Sequence, residues 1–258
     1  MKTINTVHLL NEPYNLSDLV TRVRHDLSTI GYIVLKNFGH GRQNISQTFL
    51  DFCSRIATPV PHNMAGNIIW DIKPRVESNS SLTTFSEHNE EAFLHTDSQY
   101  SKRPEDIFGL LCLRSARCGG GKSLLLSLKS VLNDMKQTTE GLNYIKILMS
   151  EKFRFITPSV FNDGVNTDYA EHYILSNHGI RFRADTIEKA FALYPDYYSA
   201  PLVDAYRFIK NKIQNSKAII EYNLEDEDLI LINNSTMLHG RESFYDMLRH
   251  LLRIRMIF

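Results

Sequence analysis

His95 and Asp97 stand two residues apart in Phe93-Leu94-His95-Thr96-Asp97-Ser98-Gln99-Tyr100. On a β-strand or at its end, alternate side chains share a face, so an imidazole and a carboxylate at this spacing can enter one pocket. A histidine and a carboxylate converging on a point supply two of the three ligands of a 2-His-1-carboxylate iron site. His-x-Asp is short, and the chain has 10 histidines. Its weight comes from a second stretch near the C-terminus. There Asn233-Asn234-Ser235-Thr236-Met237-Leu238-His239-Gly240-Arg241 is followed by Arg249-His250-Leu251-Leu252-Arg253. It offers a further imidazole, and arginines whose planar forks pair bidentately with carboxylates.

The elements that must position these residues are legible in outline. Leu16, Leu19, Val20, Val23, Leu27 and Ile30 recur at helical spacing, with Asn15 or Ser17 as the cap and Gly31 just past the end. Tyr32 to Phe38 reads as a buried strand, and Ile45, Phe49, Phe52, Cys53 and Ile56 as a second helix that ends before Pro59. Ile68–Ile72, Ile107–Arg114, Lys122–Leu128, Phe153–Thr157, His172–Ser176, Ile180–Arg183, Ala218–Tyr222, Leu229–Asn233 and Arg249–Phe258 read as strands. Helices are expected over Leu128–Met135, Leu142–Met149 and Pro201–Ile213, the last with proline in its first turn. Residues 73–92 read as an irregular polar loop ahead of the candidate site, with Ser78 to Ser81 clustered. Gly119-Gly120-Gly121 reads as a turn, since the phosphate-loop pattern is absent. The acidic run Glu225 to Asp228 reads as a solvated turn. Many short strands with a few helices indicate a mainly β, jelly-roll architecture with flanking helices. A length of 258 residues is compatible with one domain spanning 1–258.

Bulk composition narrows the function classes. The formal net charge is zero, which argues against binding nucleic acid through bulk charge. Cys53, Cys112 and Cys118 are odd in number and lack metal-ligand spacing, so reduced thiols in a cytoplasmic protein are expected. No apolar leader is seen in residues 1–10, and no run reaches membrane-spanning length.

Four motifs taken together carry a resemblance. They are His95-x-Asp97, Gly120-Gly121-Lys122-Ser123, Asn234-x(4)-His239-Gly240-Arg241 and Arg249-x(3)-Arg253. In this order and spacing they resemble the TauD/TfdA and clavaminate-synthase-like branch of the iron(II)/2-oxoglutarate oxygenases. Leu94-His95-Thr96-Asp97 through Pro104 and Phe108-Gly109-Leu110-Leu111-Cys112-Leu113 also resembles the γ-butyrobetaine hydroxylase-like members. The strand between Gly31 and Gly39 resembles the family's early strand. The likeness is densest over 85–128 and 225–258, while 140–215 resembles nothing nameable.

The resemblance implies a double-stranded β-helix holding Fe(II) through His95, Asp97 and His239, with 2-oxoglutarate and O2 as co-substrates. It gives Arg249 and Ser123 the distal carboxylate of 2-oxoglutarate, and Arg253 a carboxylate of the primary substrate. It also implies hydroxylation of an unactivated C–H bond on a small polar molecule, an amino acid or amino-acid-derived carboxylate, free or carrier-tethered. Related halogenases lack the carboxylate ligand, so Asp97 points to a halide-free oxidation.

Competing readings remain at this level. His88-Asn89-Glu90 is a second His-x-Glu pattern. Arg241 reads either as a structural ion-pair residue or as a ligand contact, Arg255 as a structural ion pair, and Trp70 as core or rim. A non-redox, cupin-like metal-binding jelly roll is the alternative function; a nucleic-acid or protein demethylase is a third.

Overall fold

The computed structural model describes residues 4–10, 15–63, 65–74, 85–157 and 169–258. The chain opens with strand β1 (Thr6–His8), helix α1 (Leu16–Thr29), strand β2 (Tyr32–Lys36) and helix α2 (Ile45–Ile56). Asn15 caps α1, its side chain accepting from the Ser17 amide at 2.8 Å. Gly31 follows the helix at φ 95°, and a Cβ there would lie 2.6 Å from the Met237 side chain, so this turn requires glycine. Strands β3 (Thr58–Val60), β4 (Ile69–Ile72), β5 (Ala92–His95), β6 (Ile107–Arg114) and β7 (Ser123–Ser127) come next.

The middle of the chain holds α3 (Leu128–Met135), α4 (Thr139–Ser150), β8 (Lys152–Ile156), β9 (Tyr169–Tyr173), β10 (Leu175–Ser176), β11 (Gly179–Ile180), α5 (Ala184–Leu193) and α6 (Ala200–Gln214). It ends with β12 (Ile220–Tyr222), β13 (Leu229–Asn233), β14 (Met237–Arg241) and β15 (His250–Ile257).

Two sheets make the jelly roll. The larger runs β1-β2-β13-β6-β15-β3, with β4 also paired to β15; the smaller runs β12-β7-β14-β5. Strand β13, Leu-Ile-Leu-Ile-Asn, is apolar on both faces because it lies mid-sheet between β2 and β6. Leu229 and Leu231 face α1 and α2 with Leu35, Phe49, Phe52 and Ile254. Ile230 and Ile232 face the smaller sheet with Val34, Phe108, Leu125 and Met237. Behind the smaller sheet, Leu126 and Leu238 pack against Val131, Leu148, Ile209 and Tyr206 of the helical layer. The core therefore has three parts, and the middle one, between the sheets, adjoins the site.

Several local expectations are corrected. Ile180–Arg183 is not one strand. β11 stops at Ile180, and Arg183 is the residue before α5, whose Thr186, Ile187 and Ala190 are buried at helical spacing. His172–Ser176 is split at Ile174 into β9 and β10, which pair with different partners. Arg249 precedes β15 rather than opening it. The acidic run is not wholly solvated, since Asp228 is buried and ion-paired to Lys36 at 2.8 Å. Its carboxylate also accepts from the amides of Asn37 and Glu225. Of the polar loop, the serine cluster Ser78–Ser81 lies outside the described residues.

Candidate metal centre

Strands β5 and β14 are paired with His95 opposite His239. Beyond that pair the register shifts, with the additional residue on β5, a β-bulge opposite Gly240. A Cβ at Gly240 would lie 2.6 Å from the Ala92 carbonyl oxygen, so the bulge can press against β14 only where a glycine stands. Strand β5 ends at His95. Asp97 opens a turn in which Ser98 has φ 51°, so it reaches the site from a turn rather than by strand alternation. Asn234 fixes that turn. Its Oδ1 accepts from the Asp97 amide at 2.8 Å, and its Nδ2 donates to the carbonyls of Asp97 and Glu105, both at 3.1 Å.

The outcome is a convergent set. One ligand atom from each of His95, Asp97 and His239 lies within 4.8 Å of the others, the sole such metal-competent group among the described residues. Nε2 of His95 is 3.6 Å and Nε2 of His239 is 3.8 Å from Asp97 Oδ1. His95 Nδ1 is 2.6 Å from the Phe93 carbonyl, which only accepts, so the proton sits on Nδ1 and the Nε2 lone pair is left for a metal. Burial, followed by the adjoining His95 ring, lowers the His239 pKa to about 4, so this ring is neutral at pH 7. Burial acts to raise the pKa of Asp97. The Arg253 charge, with smaller contributions from the adjoining His239 and His95 rings, outweighs it and holds the carboxyl well below its usual range. Two imidazole nitrogens and one anionic oxygen are the donor set that suits iron(II). The runner-up pair His88 and Glu90 takes no part in this group.

The cavity at the triad measures about 90 Å³ and is also lined by Phe85, Phe108, Ser123, Arg249 and Arg253. Arg249, Arg253 and Arg255 share the inner side of the last strand and its lead-in but differ in their partners. Arg253 donates from Nη1 to Asp97 Oδ2 at 2.8 Å, and its Nη2 lies 3.1 Å from His62 Nδ1. Arg255 pairs with Glu105 at 2.9 Å. The Arg249 guanidinium makes no hydrogen bond or ion pair to any described residue; the arginine is only 6% exposed, and its charged end lies 5.0 Å from the centre of the Phe244 ring. Burial lowers its pKa to about 10, which leaves it protonated at neutral pH. Ser123, the buried first residue of β7, lines the same cavity.

Arg241 is not a surface ion-pair residue, and it lines the site cavity. It is buried and donates to the carbonyls of Phe85, His88 and Glu90, tying that segment over the site. Sequence reasoning missed His62, which has no informative spacing to the triad. His62 is buried and stacked on Trp70 with ring centroids 4.3 Å apart. Burial and then the charges of Arg253 and Arg255 lower its pKa to about 2. It is therefore a neutral acceptor for Arg253, which cannot give up its proton. The role of Asn234 was missed too, although its place in the C-terminal motif was visible.

Comparison with known proteins agrees with this architecture. Asparagine oxygenase, solved with Fe(II), (2S,3S)-3-hydroxyasparagine and succinate, superposes with a TM-score of 0.72 at 16% identity, covering 95% of this chain and 80% of the other. The non-heme iron oxygenase OrfP, solved with Fe and alpha-ketoglutaric acid, gives 0.67 at 16% identity, covering 93% and 80%. PvcB from Pseudomonas aeruginosa gives 0.66 at 13% identity, covering 98% and 84%. At these identities the likeness establishes the fold. No curated protein sequence matches the chain. Residues 5–255 match the sequence profile of one family over nearly the whole length, and the chain belongs to that family, the taurine catabolism dioxygenase TauD, TfdA family.

Proposed function

We propose that the protein is an Fe(II)/2-oxoglutarate-dependent dioxygenase that hydroxylates an unactivated C–H bond of a small polar molecule, an amino acid or amino-acid-derived carboxylate. One observation carries the reading: a convergent His-Asp-His set shares a cavity with the buried guanidinium of Arg249, which is unpaired among the described residues. A guanidinium removed from water without a carboxylate is costly, and a diacid co-substrate supplies the missing partner. In this reading His95, Asp97 and His239 hold the metal. Arg249 and Ser123 hold the distal carboxylate of 2-oxoglutarate, the arginine through a forked pair and the serine through its hydroxyl. Arg253 lines the same cavity with a buried Nε that has no partner, which supports a contact to the substrate carboxylate.

Bound there, iron(II) with 2-oxoglutarate would supply the electrons that activate O2 for C–H hydroxylation. The chain's own part is positional. Asn234 and the bulge in β5 fix the donor atoms, and Phe85, Phe108, Leu110 and Leu251 give the cavity its apolar wall. Asparagine oxygenase, solved with a hydroxylated amino acid, supports the substrate class.

The test is anaerobic titration with iron(II) and 2-oxoglutarate, followed by the weak visible absorption of the chelate. A substrate panel is then scored by succinate release. Binding of iron without any 2-oxoglutarate band would assign the chain to non-redox metal binding instead. Arg249→Ala removes one partner of a partly desolvated pair, a loss of about 3–5 kcal/mol, or a few hundredfold or more in affinity for 2-oxoglutarate. Arg249→Lys recovers only part of this, because a point charge cannot reproduce the fork.

A further inference from the structure

Arg249 stands between two cavities. On one side is the site cavity with the triad. On the other is a second cavity of about 200 Å³, lined by Cys112, Ala116, Gly120, Asn223, Leu224 and Arg249 itself. The other arginines of the site are fastened by directed bonds, Arg253 to Asp97 and His62, Arg255 to Glu105, and Arg241 to three carbonyls. Arg249 has no such bond among the described residues. Its contact with the Phe244 ring face is non-directional and permits sliding. Glycine at 121 leaves room beside its arm, since a Cβ there would lie 3.4 Å from Arg249 Nε. Glu225, an acid on the second cavity, is held by Lys36 at 2.5 Å, so its charge is matched.

A clamp fastened by directed bonds accepts one ligand length. A loose clamp with empty volume behind it accepts more. The site cavity, at about 90 Å³, is small beside the 300–1,000 Å³ of ordinary ligand pockets. Extra length in a co-substrate must therefore be found at the arginine end. We propose that the co-substrate pocket is extensible in one direction. It binds 2-oxo diacids one methylene longer than 2-oxoglutarate, with Arg249 moved back toward the second cavity, and it rejects shorter ones. A shorter acid would need the guanidinium to advance into a cavity crowded by Phe108, Leu110 and Leu251. The inference rests on Arg249 being the distal-carboxylate clamp.

The experiment is anaerobic titration of the iron(II)-loaded protein with 2-oxoglutarate, 2-oxoadipate and oxaloacetate, read by the chelate absorption and by calorimetry. The expected result is a 2-oxoadipate dissociation constant within tenfold of that for 2-oxoglutarate, with oxaloacetate more than tenfold weaker. Ala116→Leu fills the second cavity from a loop position. It should weaken 2-oxoadipate at least tenfold and 2-oxoglutarate less than threefold, with Ala116→Met as the substitute if thermal unfolding shows that the leucine variant is not folded. Absence of any 2-oxoglutarate signal would sink the functional reading itself. A normal 2-oxoglutarate signal with 2-oxoadipate more than tenfold weaker overturns the extensible pocket alone. So does oxaloacetate binding as well as 2-oxoglutarate, or a filled cavity that affects the two longer acids equally or not at all.

Discussion

The Asp97 carboxylate meets three groups with only two oxygens. Oδ1 faces the Nε2 atoms of His95 and His239, and Oδ2 accepts from Arg253, whose guanidinium is backed by His62. The division leaves one carboxylate oxygen toward the metal position and commits the other to an arginine. His95→Ala or His239→Ala should therefore abolish turnover and sharply weaken iron binding, because two remaining donors hold the ion poorly. His88→Ala should bind iron almost normally, and an equilibrium titration of the three variants would move the centre to His88 if that variant alone lost the metal. His62 gives a pH prediction. Its folded pKa, about 2, lies below the unfolded value of about 6.5, so the unfolded chain binds the additional proton between these limits. Stability from a neutral His62 is complete above the unfolded value and is lost as pH falls, with a slope approaching about 1.4 kcal/mol per pH unit. His62→Phe keeps a ring against Trp70 without a titrating group. Urea unfolding at pH 7, 6 and 5 should show a shallower acid loss for this variant than for the parent, and parallel losses would contradict the assignment.

At the scale of the element, the pairing of β14 with β5 decides whether the ligands meet. Gly240 allows the bulge to close, and Asn234 holds the turn that carries Asp97. Gly240→Ala puts a methyl against a backbone carbonyl that cannot move without parting the strands, at a cost of about 1–3 kcal/mol. Iron affinity should fall with stability, since His239 is the preceding residue. Asn234→Ala leaves the buried Asp97 amide and the carbonyls of Asp97 and Glu105 without their side-chain partner, at about 1–3 kcal/mol per unsatisfied buried group. A variant that binds iron and 2-oxoglutarate as tightly as the parent would show that Asn234 serves the fold only.

At the scale of the whole molecule, the three candidate ligands come from segments more than 130 residues apart in the chain, on two strands of the smaller sheet and the turn after one of them. An ion bound there links these segments only in the folded state. Iron(II), or cobalt(II) as a redox-stable probe, at a hundred times its dissociation constant should raise unfolding free energy by about 2.7 kcal/mol. The shift should vanish in His239→Ala while persisting in His88→Ala, as followed by anaerobic thermal unfolding. No helix among the described residues is long and apolar enough to cross a membrane.

The donor types and the jelly-roll class were legible in the sequence because they rest on local signals. These are the two-residue spacing of His95 and Asp97, the glycine after His239, the fork-bearing arginines four apart, and the apolar run of β13. Elements with strong helical spacing, such as α1, α2 and α6, were legible for the same reason. Helix α5 was not, because the stretch just before it, Ile180–Arg183, carries a strand-like pattern and its buried positions Thr186, Ile187 and Ala190 lack a strong apolar stripe. The partners of the arginines could not be read either. Arg249, Arg253 and Arg255 are alike in type and parity, yet only tertiary contacts decide that one meets Asp97, one meets Glu105 and one has no paired partner among the described residues. Hydrogen bonds between side chains distant in the chain leave no spacing signal, which is why His62 was invisible and why the role of Arg241 emerged only with the segment it holds. The chain by itself determined which groups could ligate a metal and bind a diacid. Packing of the two sheets decided which of them converge, because the distances that make a site are set across strands and not along one.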